Sequence, residues 1–102
     1  MDSIEYEKLY GVPVLLQDVI GKMVENEAVL VLAHRGEVKV LNEVAARIWS
    51  LIDGQRSIRT IAQMISEEYQ VDDIQAQADT LEFVENLEQR GILSILNPSE
   101  VN

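Results

Sequence analysis

The chain has 102 residues, 47% of them apolar, with eight basic residues against 18 acidic ones, one histidine and no cysteine. A chain of this size makes one domain, too small for separate catalytic and binding units, and without cysteine it has no disulfide framework, no thiolate nucleophile and no cysteine-held zinc or iron–sulfur site. The formal charge of −10 opposes binding to phosphate backbones and anionic membranes, where affinity comes mainly from Lys and Arg, and leaves neutral, basic or apolar partners as the favoured ones.

The start, MDSIEYEKLYG, is acidic and lacks the basic, apolar pattern of a signal peptide. The longest apolar run, residues 28–33, is far short of the roughly 20 residues that span a bilayer. A soluble protein of the reducing cytoplasm, with no membrane partner, is expected.

In residues 1–18, Gly11 and Pro13 interrupt any regular pattern, so an irregular N-terminal arm is expected. Within it, Tyr10-Gly-Val-Pro13-Val-Leu15 is similar to the Tyr-x-x-Pro-x-Leu pattern of lasso-peptide leaders, a match too short to carry an assignment. Residues 19–41 read as three strands: 19–25, 28–33 and 37–41. Asn26 suits the first turn and Gly36 the second, since both residue types tolerate positive φ. The middle strand is apolar throughout, as expected of one covered on both faces. The third alternates, with Val38 and Val40 set against Glu37 and Lys39, and closes on Leu41. The order is a meander, which leaves this third strand at an edge.

Asn42 caps a first helix whose stripe is Ala45, Ile48, Trp49 and Ile52 and which stops at Asp53-Gly54. Trp49 belongs to that stripe and is expected in the core. Ser57 caps a second helix with the stripe Ile58, Ile61, Ala62, Ile65 and Tyr69; its last turn holds Glu67 and Glu68, the wrong sign for a helix C-terminus, with no local compensation. Asp72 opens a third helix in capping-box style with Gln75, and Arg90-Gly91 closes it. This helix carries two apolar stripes. One is Ile74, Ala78 and Leu81; the other is Ala76, Thr80, Phe83 and Leu87, with Val84 between them. If the first serves the core, the second is left to line a groove. Residues 92–95 suit a short final strand and 97–102 a frayed tail. The expected class is α+β, winged helix-turn-helix-like: an N-terminal three-stranded antiparallel β-meander followed by three helices.

No catalytic constellation appears. His34 falls in a turn, where a solvated side chain is the plain reading; the serines include no Gly-x-Ser-x-Gly elbow, and the five glycines form no phosphate-cradling loop. The carboxylates Asp79, Glu82, Glu85 and Glu88 read as a solvated helix face, and no metal or cofactor site is indicated. The protein is not expected to be an enzyme.

The signature Leu41-Asn42, Ala45 or Ala46, Ile48-Trp49 and Asp53-Gly54 resembles the core of the PqqD family. The small proteins of this family serve pyrroloquinoline quinone biosynthesis, and their relatives recognise ribosomally made precursor peptides. Ser57-Ile-Arg-Thr-Ile-Ala62, Glu67-Glu-Tyr69, Asp79-Thr-Leu-Glu-Phe-Val84 and Arg90-Gly-Ile-Leu93 follow in the order of the family, so the similarity spans residues 19–95 and marks 19–96 as the recognition domain. The resemblance implies a recognition element of ribosomally synthesised, post-translationally modified peptides (RiPPs), in which the leader adds as a strand between the third strand and the third helix. On that basis Glu37, Val38, Lys39, Val40 and Leu41 form the edge, and Ala76, Thr80, Phe83, Val84 and Leu87 wall the groove.

The implied function is that of a non-catalytic peptide chaperone, which holds a precursor leader and presents it to a maturase, either a radical S-adenosylmethionine enzyme or another peptide-modifying one. Acidic groove margins point to a neutral or basic leader. The helix order also admits a winged-helix DNA-binding protein, but its recognition helix would begin at Asp72-Asp73 and repel phosphate. A scaffold dimerising through the same edge is compatible with the peptide-binding reading.

Overall fold

Five strands and three helices form among residues 7–16 and 19–100, which the computed structural model describes. In chain order they are β1 (Val12–Leu15), β2 (Val19–Val24), β3 (Glu27–Leu32), β4 (Glu37–Leu41), α1 (Glu43–Leu51), α2 (Ile58–Tyr69), α3 (Asp73–Gln89) and β5 (Leu93–Leu96). Strands β2, β3 and β4 make the antiparallel meander with β3 in the middle, and β1 pairs antiparallel with β5 in a second, two-stranded sheet. The class is α+β, with the helix order of a winged helix-turn-helix.

Local chemistry sets the ends of these elements. The side chains of Asn42, Ser57 and Asp72 each accept from an otherwise orphaned amide of the next turn: Ala45, Thr60, and both Ile74 and Gln75. The capping box at Asp72 is only half made, because Gln75 turns forward to donate to Asp79 at 2.8 Å. In the first hairpin the left-handed residue is Glu25 (φ 58°) and not Asn26, whereas the second turn closes at Gly36 (φ 64°) as expected. The backbone of His34 lies in that turn, and its side chain falls outside the described residues.

The core lies between the inner face of the meander and the helices. Ala28, Leu30 and Leu32 of β3 and Leu41 of β4 meet Ile48 and Leu51 of α1, Ile58, Ile61 and Ile65 of α2, and Val84 and Leu87 of α3. The expectation that β3 is covered on both faces fails: Val31, on its other face, is exposed. Trp49 is half-buried, its indole lying over Gly21 of β2, where a Cβ would stand 2.8 Å from Nε1. The glycine is thus what lets the ring approach the strand.

Part of the stretch expected to be an irregular arm is built into the fold. Val12–Leu15 pairs with β5 and not with β4, so the leader-like Tyr10 to Leu15 segment does not occupy the edge of the meander. Leu9 and Val12 are core residues. The backbone carbonyls of Leu9 and Gly11 accept from the amides of Arg59 and Ile58, satisfying two orphan donors at the start of α2. Gly11 is fixed by crowding, since a Cβ there would lie 2.5 Å from Ile95. These partners sit 47 (Gly11 to Ile58) to 84 (Val12 to Leu96) positions along the chain, and no local pattern in the arm reports them.

The acidic end of α2 is compensated from α1. Arg47 donates to both carboxylate oxygens of Glu68, Nε at 2.8 Å and Nη2 at 2.7 Å, a forked pair that ties the two helices together. The Arg47 hydrogen bond holds the Glu68 carboxyl below its ordinary value, and the backbone amides of Arg56 and Gln55 do the same for Asp53. Both folded-state values are depressed, so the stability they contribute is present above the ordinary carboxylate value and is lost as pH falls through the folded-state values. Urea midpoints across an acid series should therefore fall on the low-pH side of the carboxylate range. Added salt should shrink the Glu68 part, because the pair is exposed.

Candidate functional site

Among the described residues β4 is an edge strand of the meander, with β2 at the opposite edge, and alternation gives β4 two faces. Glu37, Lys39 and Leu41 pair with Leu32, Leu30 and Ala28 and share their inner side; Val38 and Val40 pair with Val31 and Val29 on the outer side. Leu41 is buried, Lys39 half-buried, and Val38 and Val40 are 65% and 63% exposed. A strand at an edge has backbone N–H and C=O groups free to pair with another chain.

Beside this edge runs a groove of about 750 Å³. Its walls are Lys39 from β4, Leu9 from the arm, and Gln77, Ala78, Asp79, Leu81, Glu82, Phe83, Glu85, Asn86 and Gln89 from α3. Two ion pairs frame it. Arg90 approaches Glu37 at 3.9 Å, linking the end of α3 to the start of β4, and Lys8 holds Glu85 at 2.7 Å. Lys39 faces Asp79 and Glu82 across the groove, so an acidic occupant would meet more repulsion than attraction.

Of the helix residues read from the sequence as groove walls, the structure brings Phe83 to the groove, half-buried against the core. Ala76, Thr80, Val84 and Leu87 lie in the core instead, each 1% exposed or less. The two stripes are largely exchanged: Ile74, assigned to the core, is 70% exposed and Ala78 is exposed too, although Leu81 of the same stripe stays buried. The reason is geometric. Residues 76, 80, 84 and 87 follow one i, i+4, i+8, i+11 line, and with Val84 on that line it is the continuous apolar stripe. Splitting Val84 off hid it. Gln77, Asp79, Glu82, Asn86 and Gln89 were missed as lining because they are polar. The signal that could have found Glu82, Asn86 and Gln89 is their position on the far side of the helix from that line; Gln77 and Asp79 lie on its flanks.

Thr80 makes the exchange testable. Its hydroxyl is fully buried and has no hydrogen-bond partner among the described residues. Thr80→Val keeps the shape and removes the unpaired group, and is expected to leave stability unchanged or raise it by about 1 kcal/mol in urea denaturation. A clear loss would mean the hydroxyl is paired after all.

Among the described residues no group of three or more His, Asp or Glu could hold a metal ion, and no helix is long and apolar enough to cross a membrane.

Comparison with known proteins points one way. The family model of Coenzyme PQQ synthesis protein D (PqqD) matches residues 27–93. The structure of TbiB1 in complex with the TbiA(beta) leader peptide is similar at a TM-score of 0.73 and 28% identity, covering 78% of this chain and 93% of that one. Lasso peptide synthetase B1 complexed with its leader peptide gives 0.72 and 26%, over 80% and 96%. The solution structure of the PqqD truncation of Methylobacterium extorquens PqqCD, described as a functional, stand-alone RiPP recognition element, gives 0.68 and 28%, over 81% and 88%. Among the curated proteins nothing matches.

Proposed function

The chain belongs to the PqqD family, and from that premise we propose that it is a non-catalytic adaptor that binds the leader of a ribosomally made precursor peptide by strand addition and presents it to a separate maturase. The observation that carries this reading is the free β4 edge set beside the α3 groove, in a fold shared with two proteins solved with leader peptides. An extended peptide can pair its backbone with Glu37–Leu41 while alternate side chains enter the groove. Backbone pairing by itself takes any sequence, and the groove adds selectivity on the inner face.

The adaptor contributes no bond-making group. It raises the local concentration of the precursor at the maturase and fixes its orientation. Ordering a flexible leader costs about 2 to 5 kcal/mol, so backbone pairing alone gives weak binding and side-chain anchors are required. Phe83 is the anchor partner on the protein. The maturase is one that modifies peptides, with a radical S-adenosylmethionine enzyme as the leading class, and the adaptor works beside it in the cytoplasm.

The test is fluorescence anisotropy with labelled leaders of precursors encoded beside the gene. Phe83→Ala, a half-buried position, should cost about 2 kcal/mol of stability, leave the fold intact and weaken leader binding roughly tenfold. Equal affinity in the folded variant would remove Phe83 from the site.

A further inference from the structure

The apolar surplus of the meander lies on its solvent side. Ile20, Val31 and Val38 are successive cross-strand partners, and so are Lys22, Val29 and Val40. Both rows run across the sheet and stop at the free edge, at Val38 and Val40. These are the positions where an edge strand ordinarily carries charge, most often lysine, to discourage pairing. Here the lysine of β4, Lys39, faces the groove and the outward positions are both valine.

A second copy of this chain is a poor occupant for the rows. Two chains of formal charge −10 repel each other. A single added strand fits better, because it needs no wide surface. It extends each row by one residue.

We propose that the leader is read on both of its faces. The substrate class is an extended segment with apolar, β-branched or aromatic residues at the outward positions beside Val38 and Val40, as well as anchors at the inward positions that enter the groove. This rests on the strand-addition reading of β4 and goes beyond it, since backbone pairing and a groove specify one face only. Apolar pairs directly opposite each other across a strand boundary favour their match by roughly 1.5- to 5-fold per position, so two such pairs give a clear preference.

The experiment selects a displayed library of random eight-residue peptides, held between Gly-Ser linkers, on the full chain and on the double variant V38T/V40T. Threonine keeps the strand propensity, and both sites are exposed, so the variant should show an unchanged thermal transition. The wild type should enrich peptides with apolar residues at alternate positions of both parities. The variant should lose the preference at one parity, by roughly 1.5- to 5-fold per position, and keep the other. Identical enrichment on both proteins overturns the two-face reading while leaving strand addition in place. Absence of any enriched peptide on the wild type overturns strand addition itself, and the two-face reading with it.

Discussion

Leu87→Asp is expected to unfold the domain, not to empty the groove. Leu87 has no exposed surface and sits in the core with Val84 and the β3 leucines. Removing a buried leucine costs about 2 to 5 kcal/mol, and a carboxyl in its place must either stay charged without a partner or take up a proton, which adds further cost. A small domain has about 5 to 15 kcal/mol in all. Far-UV circular dichroism should show no cooperative melt for this variant. Leu87→Met, which conserves volume, should stay folded with a loss under about 1.5 kcal/mol and bind leader like the wild type. A folded Leu87→Asp protein with weakened leader binding would return this residue to the groove wall and contradict the packing described above.

The second large effect concerns the peptide. When a strand adds to β4, alternate residues of the newcomer direct their N–H and C=O groups at the edge and the others direct theirs away. N-methylating two leader amides of the edge-facing parity removes two backbone bonds and places methyl groups against β4. Affinity should fall on the order of 10- to 100-fold. Methylation at the other parity should change it by no more than a few-fold, since those amides meet water. Titration calorimetry with the two methylated series reads the contrast directly. Equal losses in both series would mean the leader does not bind as a strand.

These expectations separate what the sequence makes legible from what it hides. The bounds of β4 and the caps at Asn42, Ser57 and Asp72 are written in neighbouring residues: alternation for the strand, short polar side chains for the helix starts. Gly91, at φ 75°, ends α3 where a left-handed residue is needed, again a local signal. The arm is different. Its strand depends on β5 at the other end of the chain and its carbonyls on the first turn of α2, so Gly11 and Pro13 look like interruptions until those partners are in place. Glu68 likewise looks uncompensated until α1 brings Arg47 against it.

The site was legible by half for the same reason. The edge strand follows from the order of the meander, which sequence reports. Which side of α3 faces the groove depends on how the helix is rotated against β3 and α2. A helix with two apolar stripes does not declare its rotation, and Thr80 in the buried stripe blurred the pattern further. The valines of the outer sheet face were misread as signs of a covered strand, because a continuous apolar run in β3 normally means burial on both sides. Their exposure is what suggests a use for them.

The most direct test of strand addition beside α3 is an amide NMR titration of the labelled full chain with the leader of a precursor encoded beside its gene. Shifts are expected to concentrate on Glu37–Leu41 and on residues 77–89, with β1 and β5 little changed. Shifts confined to the β1–β5 sheet, or none in a folded sample given its cognate leader, would contradict strand addition there.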